Sequence, residues 1–252
     1  MLLTERLDEK RTYFFVKFMP KEFVDRFRKG FIHMKNLKAY VDMEKESREK
    51  GIGDKHEASL VISNTKLDFF DEETNELVFT LDTDKLSLSN NQDLMHPVFC
   101  SYIIDSDSLE IFEETEDEVR VKIRAREDEL ERILKDFGLT AVLIEAHSFL
   151  ERFTVACKEQ ELVANASKVS YYDYSVNQKE RMDIFLDKNS TKRVFVKSDY
   201  FKHQNEHRFV LLNKQIEEPM DLFIGDISDI THVLDTRKLF ANTYIKFGKN
   251  TK

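Results

Sequence analysis

"YFKHQNEHRFVLL", residues 200–212, places Gln204, Glu206 and Arg208 at every second position just where an apolar run begins. An extended chain sends successive side chains to opposite faces. Gln204, Glu206 and Arg208 are therefore predicted to line one face of a strand, with His207, Phe209 and Leu211 on the other. The polar face is either a solvated ladder of charges or one wall of a site. Abundance of charge does not decide between them, because exposed pairs contribute only about 0–1 kcal/mol. The fold follows from what surrounds such a strand.

Near the start, "RTYFFVKFM" reads as an aromatic-rich strand with Tyr13, Phe15 and Lys17 on one face and Phe14, Val16 and Phe18 on the other. Lys17 interrupts an otherwise apolar run, and its plain reading is a long stem reaching from the sheet to water. "PKEFVDRFRKG" has the proline-first, glycine-last form of a short helix, "FIHM" follows as a strand, and "LKAYVDMEKESREK" as a second helix ending at "GIGDKHE". "ASLVISN", "KLDFFDEETNELVFTLD" and "HPVFCSYII" are antiparallel candidates, with "DEETN" as a hairpin turn. "REDELERILKDFG" repeats Leu130, Ile133, Leu134 and Phe137 at helical spacing before Gly138, and "HSFLERFTVACKEQELV" predicts another helix. "KVSYYDYS", "KRVFVKSDYF", "MDLFIGDI", "HVLD" and "TYIKF" complete the strands. Interspersed helices and short hairpin-like strands predict an α+β fold: one compact domain over residues 1–252, with a curved, mostly antiparallel or mixed sheet, peripheral helices and residues 1–10 as a tail.

Composition agrees with a single packed unit. The 252 residues are 41% hydrophobic and 35% charged, with 21 Phe, 8 Tyr and no Trp, so aromatic packing dominates the expected core. Only 6 Gly and 3 Pro leave no linker that would separate domains. The formal net charge of −9 repels nucleic-acid backbones and disfavours that partner class, whereas acidic runs such as "DEETNE" and "EIFEETEDE" suit a basic protein partner. Cys100 and Cys157 sit in apolar surroundings, which fits buried thiols in a reducing compartment. The start "MLLTERLDEKR" carries no secretory apolar core and no run of about 18 apolar residues occurs, which predicts a cytoplasmic chain without a membrane partner.

Phosphate loops, dinucleotide glycine fingerprints, nucleophile elbows and zinc-protease helices are absent from the sequence. Three groups remain. In "GIGDKHE", Asp54 and Glu57 can hold a metal, a ribose or an arginine, or form an ordinary Gly-Asp surface turn. Glu206, Arg208 and Gln204 form the second group and Lys17 the third. His203 and His207 fall at a spacing that puts both on one strand face, a pair with no third metal ligand in view, so no metal site is assigned. In "SYYDYS", Tyr172 is a candidate stacking surface for a base or a nicotinamide ring, against the commoner packed strand tyrosine.

In order along the chain, the Lys17 strand, "KGFIHMKNLKAYVDMEKE", "GIGDKHE", "HPVFCSYII" and "VFVKSDYFKHQNEHRFVL" resemble a bacterial and phage family of domains of unknown function. That family shows a lysine strand, an Asp-x-x-Glu loop and a late Glu-x-Arg strand. The chain departs from it at Gln204 and Asn205. A looser likeness is to ADP-ribosyltransferases, whose split β fold clamps NAD while a late-strand glutamate orients the ribose and stabilises the oxocarbenium-like charge. That likeness implies Glu206 in the glutamate's place, with Lys17 or His33 near the phosphates or nicotinamide and Tyr40 as a stacking surface.

Three functional expectations result. The first is a phage or bacterial conflict-type protein with a cleft for a nucleotide-like ligand, in which Glu206, Arg208 and Lys17 act and Tyr40, Asp54, Glu57, Gln204 and Tyr172 bind. The second is a non-catalytic acidic protein that sequesters a basic partner. The third is a metal-dependent hydrolase or nuclease using Asp54, Glu57 and Glu206, which requires those carboxylates to converge. No cofactor is assigned.

Overall fold

Runs of aromatic and β-branched residues make the strands, and glycines or capping side chains set the ends of the helices. The computed structural model describes residues 1–7, 9–47, 51–187 and 189–248. The first half contains β1 (Thr12–Phe18), α1 (Val24–Arg28), β2 (Phe31–Asn36), α2 (Leu37–Ser47), β3 (Ser59–Phe70), β4 (Leu77–Ser89), the single turn α3 (Asn91–Leu94) and β5 (Pro97–Asp105). Next come β6 (Leu109–Glu114), β7 (Glu118–Ile123), α4 (Glu127–Phe137), β8 (Thr140–Glu145), α5 (Ala146–Glu159), β9 (Ala164–Lys168), β10 (Ser170–Tyr172) and α6 (Lys179–Leu186). The chain closes with β11 (Val196–Ser198), β12 (Glu206–Leu211), β13 (Met220–Phe223), β14 (Thr231–Asp235), α7 (Thr236–Ala241) and β15 (Tyr244–Gly248). The architecture is α+β with mostly antiparallel sheets, as the sequence predicts.

β5 organises the main sheet of eight strands. Along one edge it pairs with β12 through residues 98–102. Along the other edge it pairs with β1 only at residues 102–105 and with β2 only at Pro97 and Val98. β1 continues to β8 and β14, while β2 continues to β13, so the sheet forks on that edge. Residues 99–101 have a strand on one side and none on the other.

The two faces of the sheet carry separate cores. Phe15, Phe99, Phe209 and Leu211 pack with Phe149 and Phe153 of α5, and Val16, Tyr102 and Ile104 pack with residues of α4 and α7. Phe15 and Val16 thus fall on opposite faces, as the alternation in "YFFVKF" predicts, whereas Tyr13 packs beside Phe14 because the register slips between Thr12 and Phe14. A glycine allows one close approach that shapes the fork. A Cβ on Gly30, at φ +91°, would lie 1.9 Å from the Gly225 carbonyl oxygen, so only glycine lets the α1–β2 turn lie against that loop.

Two expectations are corrected here. The start of the chain is not a tail: Leu3 is buried in the second core, Leu3–Arg6 forms a 3₁₀ turn, and Leu2 bridges to Glu110. "ASLVISN" and the segment after it are one long strand, β3, whose hairpin with β4 stands apart from the main sheet. Among the described residues, no helix is long and apolar enough to cross a membrane.

Candidate functional site

The fork opens a cavity of about 650 Å³, within the size range of small-ligand pockets. Its walls are apolar and aromatic, with Phe23, Phe27, Phe31, Phe99, Phe137 and Met43 among them, and its floor is made of Glu57, Lys197, Glu206 and Arg208. Because residues 99–101 lack a neighbouring strand on the fork side, their backbone groups there must find other partners. Lys17 supplies one, its Nζ donating to the Cys100 carbonyl oxygen at 2.7 Å while lying 4.8 Å from the centre of the Phe99 ring.

The floor is a buried network of ions. Arg208 Nε donates to Glu206 Oε1 at 2.6 Å, and its Nη2 to Glu57 Oε1 at 2.8 Å. Lys197 Nζ donates to Gln204 Oε1 at 2.8 Å and Glu206 Oε2 at 3.1 Å, and lies 3.4 Å from Glu57 Oε1. The side chains of Lys197, Glu206 and Arg208 are 3%, 7% and 1% exposed, so solvent does not screen these pairs. Burial alone would raise the Glu206 carboxyl, but the charges of Arg208 and Lys197 outweigh it and hold Glu206 below the ordinary carboxylate range. Burial would likewise lower Lys197, and Glu206 and Glu57 reverse the direction, so Lys197 stays an ammonium. For Glu57 burial prevails over the same two cations, and its carboxyl is raised.

Local backbone geometry explains the convergence. Asn205 adopts the left-handed conformation at φ +36°, which an Asn tolerates better than a bulky residue. Its side-chain amide donates to the Ile103 carbonyl oxygen at 2.7 Å, and its own carbonyl oxygen accepts from the Ile103 N–H at 2.9 Å. The turn brings Gln204, which belongs to a 3₁₀ segment rather than to the strand, onto Lys197 beside Glu206. Gly53 brings in the other wall: a Cβ there would lie 2.6 Å from the Tyr40 carbonyl oxygen, so the loop of residues 51–57 presses directly onto α2.

Lys17, Tyr40, Glu57, Gln204, Glu206 and Arg208 all line this one cavity, although they span residues 17–208. Asp54 and Tyr172 do not. Asp54 is buried behind the floor, its Oδ1 accepting from the His56 N–H at 2.9 Å and its Oδ2 without a partner among the described residues. Burial raises its carboxyl more than Lys197 lowers it. Tyr172 packs instead with Val61, Tyr174 and Val196, and its neighbour Tyr171 reaches the site by accepting the Glu206 N–H at 2.9 Å. His203 and His207 do not share a strand face: His203 pairs with Asp136 at 3.1 Å from a 3₁₀ turn, and His207 lies against Phe15 in the core.

Lys35 and Arg26 of the rim, together with Lys197 and Cys100, escaped the sequence reading. Lys197 sits in "VFVKS", where a lysine after three apolar residues is the same signal that marked Lys17. Cys100 lines the cavity as well, and burial followed by the nearby Glu206 charge pushes its thiol up to about 12, which keeps it protonated. Among the described residues no three His, Cys, Asp or Glu side chains gather to hold a metal ion. Of the carboxylates that the hydrolase reading needs, Glu57 and Glu206 are paired with Arg208 and Lys197.

The rim of the cavity is cationic. Arg26, His33 and Lys35 stand there with Asp221, which pairs with Arg26 and whose Oδ1 lies 3.2 Å from His33 Nδ1. Lys17 from β1 and Lys35 from β2 have no ion pair among the described residues, and each repels the other across the fork. Burial is the main cause that lowers Lys17 from its ordinary value, and Lys35 lowers it further. Comparison with protein-family models, with curated proteins and with solved structures finds no match to this chain.

Proposed function

We propose that the chain binds a small phosphorylated, ring-bearing ligand of the nucleotide class in the fork of its sheet. One observation carries this reading: Lys17 and Lys35 face a mostly apolar cavity, and among the described residues no carboxylate pairs with either, in a chain whose net charge is −9. Five cationic side chains line the cavity against three carboxylates, so the local sign is opposite to that of the whole molecule. A cleft of reversed sign concentrates anions. The phosphate belongs between the two lysines, and the ring against Phe23, Phe31 or Tyr40, whose faces offer stacking and apolar contact.

The same geometry separates binding from scaffolding. Both Glu206 oxygens are engaged by Arg208 and Lys197, so the charge that ADP-ribosyl transfer would ask of this residue is already neutralised by two cations. Glu206, Arg208 and Lys197 therefore fix the shape of the floor, while Lys17, Lys35 and the aromatic wall make the ligand contacts.

Titration calorimetry with AMP, ADP-ribose and NAD, each against the wild type and the Lys17→Ala/Lys35→Ala pair, tests this. At least one ligand is expected to bind the wild type and to weaken by tenfold or more, about 1.4 kcal/mol, in the double variant. Binding that is unchanged in the double variant, or absent with all three compounds, would sink the reading.

A further inference from the structure

We infer that Lys17 is a nucleophilic amine that forms an imine with the carbonyl group of a phosphorylated aldehyde held in the fork, with Lys35 on the phosphate. The inference rests on the cavity described above, and it adds a covalent step to binding.

The surroundings of Lys17 differ from those of the other lysines whose partners are known. Lys10, Lys38, Lys168, Lys179 and Lys246 each pair with a carboxylate at the surface. Lys197 is more deeply buried than Lys17 but is held as an ammonium between Glu206 and Glu57. Lys17 has the apolar half of that environment without a paired carboxylate: its Nζ meets a backbone carbonyl oxygen and the Phe99 ring, and the positive charge of Lys35 bears on it. A desolvated lysine beside a second cation keeps a larger share of free amine than an exposed lysine does. The groups that bear on its charge are Cys100 and Lys35 from β5 and β2 and Glu206 from β12; the thiol is protonated and the glutamate is committed to Arg208 and Lys197.

The reaction balances without a further reagent. The Nζ lone pair attacks the carbonyl carbon, the C=O π electrons move to oxygen, and proton transfer from nitrogen to oxygen gives a carbinolamine. Loss of that oxygen as water leaves the C=N bond, so one amine and one aldehyde give one imine and one water. The cavity has room for such a compound, and Lys35 stands across the fork to take its phosphate.

Pyridoxal 5'-phosphate is a direct probe, since it carries both an aldehyde and a phosphate on an aromatic ring. The purified chain would be treated with a limiting amount at neutral pH, reduced with borohydride and digested, and the modified lysines counted by mass spectrometry, with unphosphorylated pyridoxal in parallel. Label on Lys17 is expected well ahead of the mean of the other lysines, because burial and Lys35 leave more of its amine unprotonated. Lys35→Ala should slow labelling by the phosphorylated probe more than labelling by pyridoxal, which loses only the charge effect of Lys35 on the amine.

Label spread evenly over the surface lysines, with Lys17 no faster than the rest, would overturn the inference. Fast labelling of Lys17 by both probes alike would keep the amine's reactivity and remove Lys35 as the phosphate partner. These results are independent of the calorimetry, because they need no nucleotide to bind.

Discussion

The floor of the cleft and the β3–β4 ribbon invert the usual placement of residues. In the floor, charged groups are inside: Glu57 and Arg208 are each 1% exposed and Lys197 is 2% exposed. In the ribbon, large apolar groups are outside: Phe69, Phe70, Val78 and Phe79 are 42%, 57%, 61% and 51% exposed. β3 takes part in both worlds. Its first residues are tied to the body, with Ser63 bonded to Tyr174 and Asn177 and the Val61 carbonyl oxygen accepting from buried Arg181, while from Asn64 outward it has only β4 for company. The difference teaches that burial here follows what each segment must hold in place. The floor keeps charges inside because each has a partner, and the ribbon leaves Phe69 and Phe79 half-exposed and stacked on each other at 4.2 Å.

The largest effect should come from breaking the floor. Arg208→Met leaves Glu206 and Glu57 buried beside Lys197 alone, and removing one partner of a buried ionic network costs about 3–5 kcal/mol. Urea unfolding should show a free energy lowered by that amount, through a lower midpoint at an unchanged slope. A loss below about 1 kcal/mol would mean that the floor is hydrated and that its contrast with the ribbon is one of degree only.

A smaller effect of definite sign comes from His207. Burial lowers its imidazole to about 4, and Glu206 opposes that only in part. The folded state therefore keeps His207 neutral while the unfolded chain binds a proton below about 6.5, so the unfolded state binds more protons between those values and stability falls as pH falls. The expected loss from pH 6.5 to 4 is about 3 kcal/mol, the product of the shift and the energy per unit. Glu206, held low, loses its contribution in the same acid direction, and Glu57, held high, changes in the opposite one. The difference between the wild type and His207→Leu isolates the imidazole: it should shrink on acidification from pH 6.5 to 4, and a difference that stays constant would mean His207 titrates normally.

Much of this contrast was legible in the residues. The alternation in "EHRFVL" put Glu206 and Arg208 opposite His207, Phe209 and Leu211, and the structure places the first pair in the floor and the other three in the core or against it. Lys17, Tyr40, Glu57 and Gln204 also reach the cleft. What stayed hidden depends on contacts far apart in sequence. No local pattern says that β5 pairs with β1 at one end and β2 at the other, yet that fork makes the cavity. Periodicity likewise could not choose between Tyr171 and Tyr172, because two short strands side by side leave either one free to face the site. Gln204 arrived by a left-handed turn at Asn205 rather than by strand alternation, the right place for a different reason.

The smallest effect tests the ribbon. Phe79→Ser removes half of the Phe69–Phe79 stack, but a cross-strand pair contributes only about 0.2–1 kcal/mol, and an exposed site away from the core usually changes global stability by less than about 0.5 kcal/mol. The distal ribbon, with seven carboxylates and two lysines over residues 64–85, has no core of its own, and an isolated two-stranded hairpin is marginal in water. Its amides at residues 65–83 should thus exchange with solvent far faster than those of residues 98–104 in β5, already in the wild type and more so in the variant. The unfolding free energy of Phe79→Ser in urea should stay within about 0.5 kcal/mol of the wild type. A loss beyond about 1 kcal/mol, or slow exchange in the ribbon, would show that β3 and β4 unfold with the body. The two regions would then be one cooperative unit, and the exposed phenylalanines would be supporting the same fold that the buried charges hold open.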